Sequence, residues 1–463
     1  MSLRTSLALL GLLSVATVAD AATAPKTAAQ GDIFPFKTYE SSLDNGLRIV
    51  TIPYDSPGIV AYYLVVRTGS RDEVEAGHSG FAHFFEHMMF RGTEKYSKDA
   101  YSELMKRMGA NSNASTWDDK TVYTLIGPSS ELEKMMEVES DRFANLKYDE
   151  EAFRTESLAV LGEYNKSASS PFLPMYEKVR DLAFEKHTYK HTTIGFLADI
   201  KAMPGYYEYS RQFLNRFYRP ENVTLLVVGD VKPDNVAALA KKYYGGWKKG
   251  YQPASIPAEP EQKEQRKAHI DWPAPIHPQI MRAWHAPAFS TATVDSAALD
   301  LLDQLLFGET SPLYRELVVE KQWVDFIAGD AEAHRDPYLY SVVTRVKSDD
   351  LVPKVQDAID RAVADIQSKP VDPERLERIK SHLRYAFALS LDATPAIAFQ
   401  ASQAIALTGD AGSLNALFAA YRKVTPADIQ RIAKQILRPQ NETIVTLSHK
   451  PAAEGSTGGA AHE

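Results

Sequence analysis

His83-Phe84-Phe85-Glu86-His87 is the stretch from which the rest of this 463-residue chain can be read. On a helix its three polar side chains fall at i, i+3 and i+4 and share one face. Two imidazoles one turn apart can hold a single metal ion, and the carboxylate beside them can activate a water at that ion. Phe81, Ala82, Phe84, Phe85, Met88, Met89 and Phe90 surround them, so the helix is apolar nearly all round and should be buried. Two histidines and a glutamate are costly there unless something pairs with them. A metal would do so. With 12 histidines and 60 acidic residues in the chain, a His-x-x-acid-His match arises by chance only about 0.04 times.

Composition narrows the alternatives. The chain has no cysteine, which excludes disulfides and thiolate ligands, so any metal must rest on His, Asp or Glu. A net charge of −8, without a long basic run, makes nucleic acid a poor partner. At 44% hydrophobic content the chain can bury two domain cores. Residues 1–21 read as a signal peptide: Arg4 opens it, Leu7 to Ala19 is apolar, and Ala19-Asp20-Ala21 offers a cleavage site. The apolar run is shorter than the roughly 20 residues of a spanning helix. The expected product is exported to the periplasm with no membrane span after signal removal. Residues 22–33 read as a flexible leader.

Leu47 to Ile52 and Ile59 to Thr68 read as strands, the second apolar enough to be central. Ser97 to Met108 reads as a helix capped by Ser97 and stopped by Gly109. Asn113 to Gly127 reads as one strand entered through a turn, and Ser129 to Asn145 as an amphipathic helix. Asp149 to Lys166 is a further helix, with Glu156 and Glu163 two turns apart on one face. Leu158, Val160, Leu161 and Tyr164 flank Glu163 and place it against the core, where metal binding would stabilise the carboxylate. Two surface glutamates on a charged face are the other reading. His187 and His191, also at i, i+4, sit in a loop-like polar segment that points away from a second metal site. Gly77-His78-Ser79-Gly80 does not meet the serine nucleophile pattern.

A proline-rich, charged linker is expected at 252–267, dividing a catalytic domain (34–251) from a second domain (268–450), with a disordered tail at 451–463. The second domain repeats the first. Arg219-Pro220-Glu221-Asn222 recurs as Arg438-Pro439-Gln440-Asn441, an offset of 219 (438 minus 219). In the repeat Asp300-Leu301-Leu302-Asp303-Gln304 stands where His83 to His87 stood, and a residue near Ala386 replaces Glu163. The two histidines and the glutamates are gone, which leaves the first half as the candidate for chemistry.

Gly80-Phe-Ala-His-Phe-Phe-Glu-His-Met-Met-Phe-Arg-Gly-Thr93 closely resembles the inverted zinc motif of the pitrilysin/insulinase peptidases, especially their processing-peptidase branch. The resemblance spans about Gly46 to Lys450. It implies an α+β fold of two homologous domains, each a mixed, mostly antiparallel sheet packed with helices, like the mitochondrial processing peptidase. It implies one Zn2+ per chain on His83, His87 and Glu163, the last being 76 residues downstream (163 minus 87). Glu86 would be the general base and Glu156 the accompanying acid. Asn113, Ala114, Ser115 and Thr116 resemble the strand that pairs with the substrate backbone. The implied activity is a zinc metalloendopeptidase acting on a peptide or unfolded polypeptide. One departure stands out. The family's substrate-binding Arg and Tyr, seven residues apart in the second half, correspond to Val318 and Asp325, with Tyr314 and Arg315 out of register. A homologous subunit would then supply that pair, making a heterodimer with this chain as catalytic subunit. The alternative is a non-catalytic scaffold like the family's core subunits of respiratory complexes, although those lose the zinc ligands.

Overall fold

Strand pairing repeats across the two halves of the computed structural model, which describes residues 32–450. The expected signal peptide, all but the last two residues of the leader, and the tail lie outside the described residues. In the first half β1 (Tyr39–Ser42), β2 (Arg48–Pro53), β3 (Ile59–Val66), β4 (Asn111–Thr116), β5 (Thr121–Pro128) and β6 (Val223–Gly229) form a sheet of order β1-β2-β6-β3-β5-β4. In the second, β7 (Arg266–Trp272), β8 (Gln279–Ala286), β9 (Val324–Asp330), β10 (Tyr338–Val346) and β11 (Glu442–His449) take the order β7-β11-β8-β10-β9. Without β1 the two orders are the same. One parallel pair in each, β2 with β6 and β7 with β11, sits among antiparallel neighbours. Register repeats too: Arg48 lies opposite Thr224, and Arg266 opposite Thr443. This is the α+β architecture with two mixed, mostly antiparallel sheets that the sequence implies.

The apolar strands lie where their composition predicts. Every residue of β3 after Ile59 is buried, as is all of β6, so both strands are covered on two faces. Only one set of covering helices is local. Helix α1 (Phe81–Met88), α2 (Lys98–Met108), α3 (Leu132–Asn145) and α4 (Glu150–Ala168) stay with the first sheet. By contrast α5 (Phe172–Ala183) crosses over, packing Met175, Val179 and Ala183 on Met281, Ala283, Val445 and Leu447 of the second sheet. The helix Thr394–Thr408 makes the reverse journey, laying Ile397, Ala398, Ala401 and Ile405 on β3 and β6. Arg67 donates to Ala406 O at 3.0 Å and Leu407 O at 3.3 Å, and Arg48 donates to Gly409 O. Two cations thus meet the negative end of that helix dipole.

Three expectations change. Asn113 to Gly127 is a hairpin of β4 and β5, because Trp117-Asp118-Asp119-Lys120 turns, with the Trp117 amide donating to Lys120 O at 2.8 Å. Arg266 and Lys267, expected in the linker, already pair in β7. Ile33, expected in the flexible leader, is buried in the core shared by the two halves, next to Phe34, whose amide donates to Asn415 Oδ1 at 2.9 Å. No helix among the described residues is long and apolar enough to cross a membrane.

The hairpin turn is itself buried at the junction of the halves. Asp118 accepts from Arg180 Nη2 at 2.8 Å and from His334 Nε2 at 3.2 Å, while Asp119 accepts from Tyr189 Oη and the Arg335 amide, both at 2.8 Å. Burial alone would raise the Asp118 carboxyl, but Arg180 and His334 hold it far below the usual carboxylate range. An exposed pair such as Arg154–Glu150 contributes about 0.5 kcal/mol at most. The junction pair is different, because removing one partner strands the other charge out of water. Asp118→Ala should therefore cost on the order of 3–5 kcal/mol, read by urea denaturation at pH 7. A depressed folded pKa stabilises above the unfolded value, so this difference should shrink as pH falls below about 4.

Candidate metal centre

Helix α1 enters through Gly80, at φ 92°, where a Cβ would meet Ile194 O at 2.5 Å. Its first amides are held by Glu73, a buried carboxylate that accepts from the Gly80 and Ala82 N–H groups at 2.7 and 2.6 Å. Phe84 and Phe85, between the polar residues of the motif, fix the helix laterally. Phe84 packs edge-on against Phe153 of α4 with centroids 5.0 Å apart, and Phe85 stacks on Phe213 at 5.4 Å. Asp149 caps α4 by accepting from the Ala152 amide at 2.8 Å. With Phe153 seated under α1, the residues one to three turns further along α4 face the histidines.

Glu163 Oε2 lies 3.3 Å from His87 Nε2 and 3.7 Å from His83 Nε2, and one donor atom from each of the three residues falls within a 4.8 Å span. Among the described residues they are the group of three that could share an ion. Glu163 does not lie against the core as its neighbours suggested: its side chain is 45% exposed. It stands one position off the buried stripe of Phe153, Ser157, Val160 and Tyr164, and faces the open side of the site. Glu156 lies inward instead. It accepts from His87 Nδ1 at 2.9 Å and pairs with the Arg91 guanidinium. The Nδ1–H bond leaves the lone pair of Nε2 for a metal.

The donor chemistry fits zinc: two imidazole nitrogens and one carboxylate, with room for a fourth group. His83 Nδ1 is buried without a hydrogen-bond partner among the described residues, and burial, with His87 adding, pushes this imidazole down to about 3. A neutral ring is the form a metal takes. His87 moves upward, chiefly through its bond to Glu156. Glu86, beside the histidines on α1, accepts from the Thr116 hydroxyl at 2.6 Å. Burial pushes its carboxyl above the ordinary value, against the pull of that bond.

Asn113, Ala114, Ser115 and Thr116 fall on β4, the terminal strand of its sheet. Ala114 is buried, Asn113 is exposed, and among the described residues no strand pairs with the outer edge of β4. His187 and His191 lie elsewhere, His187 Nε2 being 3.1 Å from Asp336 and His191 buried beside Thr192. In the second half the helix Asp295–Leu306 carries Asp300 and Asp303, which accept from Tyr421 Oη at 2.5 Å and Tyr340 Oη at 3.2 Å. Burial raises these two carboxyls to about 7 and about 6. Val318 packs on the second core, Asp325 is paired with Arg345 at 2.7 Å, and Arg315 with Glu320 at 2.8 Å. Sequence reasoning missed Arg91 and Glu73. Arg91 was legible as a cation one turn beyond His87, whereas nothing local marked Glu73.

An inverted pair of histidines and a distant glutamate thus stand together in one half of a duplicated α+β unit, and the other half lacks them. The sequence profile described as "Insulinase (Peptidase family M16)" matches residues 49–195, and "Peptidase M16 inactive domain" matches residues 207–383. The chain belongs to this insulinase family. It is 26% identical over 424 residues to the zinc protease PqqE of Helicobacter pylori, covering 88% of this chain and 91% of that one. It is 23% identical over 418 residues to a probable mitochondrial-processing peptidase subunit beta of Schizosaccharomyces pombe, covering 87% and 89%. The crystal structure of a protease from Helicobacter pylori superposes with a TM-score of 0.83 at 26% identity, covering 89% of this chain and 99% of that one.

The Arg91–Glu156–His87 chain has a measurable role. Arg91→Ala should free Glu156 to turn away from His87 and weaken zinc affinity by about 10- to 100-fold, read by competition with a chromogenic chelator.

Proposed function

We propose that this chain is an exported zinc metalloendopeptidase whose metal is held by His83, His87 and Glu163. The convergence of those three donor groups within 4.8 Å, beside Glu86, carries the reading. It is supported by the relatives named as zinc proteases. Zinc, when bound, supplies a Lewis acid that polarises a peptide carbonyl and acidifies the attacking water. The residues do the rest. Glu86 accepts a proton from that water as its oxygen bonds to the carbonyl carbon, then delivers the proton to the amine nitrogen as the C–N bond breaks. Glu156 keeps His87 in the tautomer that presents Nε2. The open edge of β4 offers backbone groups to an extended peptide, a mode that binds with little sequence preference. The leader pattern at 1–21 supports a periplasmic location.

Metal analysis of the purified chain should find about one zinc, lost in His83→Ala, where too few ligands remain. Glu86→Gln should retain zinc yet lower peptide hydrolysis by about 10² to 10⁴, since only the base is gone. Full activity in Glu86→Gln, or full zinc in His83→Ala, overturns the reading.

The working enzyme is proposed to be a heterodimer. Val318 is packed on the second core and Asp325 is neutralised by Arg345, so neither offers a donor to an oxyanion. A homologous subunit carrying an Arg and a Tyr would supply it, in keeping with the relative named as subunit beta. The chain alone should cleave peptides weakly, and adding such a subunit should raise the rate by about 10² to 10³. Equal rates with and without it would make the chain self-sufficient.

A further inference from the structure

Thr116 was expected to serve the substrate through the backbone of its strand. Its side chain does something else. The hydroxyl points at Glu86 and donates to Oε2 at 2.6 Å, and the Thr116 backbone adds a second favourable contact to the same carboxylate. On α1 the neighbours of Glu86 are the two histidines, of which His87 attracts its carboxylate, while Glu163 on α4 repels it. A glutamate side chain has several rotamers open to it, and a partner is needed to offset the entropy lost when one is selected.

Thr116 itself is rigidly placed. It closes β4 opposite Thr121, whose hydroxyl donates to Thr68 O at 3.0 Å. The turn that follows is the one buried at the junction through Asp118 and Asp119. The position of the hydroxyl is thus set by the fold from one side, while the other edge of the same strand is open. We propose that Thr116 is a positioning residue for the base: its hydroxyl fixes the Glu86 carboxylate, so that the strand offered to the peptide backbone also aligns the group that takes the proton. A peptide pairing with β4 would then bind the backbone that carries this contact.

The proposal rests on the zinc-peptidase reading, and two measurements separate the fates of the two. With zinc-loaded protein, Thr116→Val, which keeps the shape and removes the hydroxyl, should lower kcat by about 10- to 100-fold with KM and zinc content unchanged. Thr116→Ser, which restores the hydroxyl, should recover most of that loss. A raised KM at unchanged kcat, or equal losses in the valine and serine variants, overturns the positioning role. Independently of turnover, crystal structures of the zinc-loaded variants should show the Glu86 carboxylate displaced or in several rotamers in Thr116→Val and in place in Thr116→Ser. A Glu86 unmoved in Thr116→Val overturns the proposal even if the chain proves inactive. Absence of peptide hydrolysis by the wild-type chain, with or without a homologous subunit, overturns the functional reading alone.

Discussion

Each sheet in this protein has a face that its own half does not cover. The first sheet buries one side under α1 to α4 and the other under the helix Thr394–Thr408, which belongs to the second half. The second sheet is completed by α5 from the first half. Apolar strands such as β3 and β6 are stable only with both faces out of water, at roughly 25 cal/mol per Å² of apolar surface buried. The reciprocal exchange satisfies that requirement. The buried ion network around Asp118 and Asp119 then holds the junction in one register.

The site inherits its geometry from this frame. The contact of Phe84 with Phe153 brings residue 163 to residues 83 and 87, and the capping of α1 by Glu73 sets where those histidines start. The three candidate donors alone amount to two largely buried imidazoles and one half-exposed carboxylate. What distinguishes the site is the surrounding support: Glu156 and Arg91 behind His87, and Thr116 behind Glu86.

Much of this could be read from the chain. The helix of His83 to His87, the Ser97 cap and the duplication all rest on local spacing or on a repeated tetrapeptide, and the structure has each of them. The misreadings share a physical cause. The β4–β5 turn contains neither Gly nor Pro, so nothing local breaks the strand pattern; its two carboxylates are held in the turn by donors 62, 70 and 216 residues away. Glu163 appeared buried because Leu158 and Leu161 flank it, yet Leu158 is itself 58% exposed. A helix with hydrophobic residues on several faces gives no bearing on which way a single carboxylate turns. The role of Arg91 and the junction network depend on partners in distant segments, Glu156 lying 65 residues beyond Arg91; Glu73 lies only seven and nine residues from the amides it holds, but in no pattern that marks a cap.

The exchanged helices also bear on how the duplicated chain has kept both copies. A redundant copy is ordinarily free to decay once it loses its chemistry, and the Asp300 to Gln304 segment has neither the histidines nor the glutamate of His83 to His87. Yet the first sheet would stand half-naked without Thr394–Thr408, and the second without Phe172–Ala183. Gene fission between the halves would therefore not release two independent proteins; it would produce two fragments obliged to find one another again.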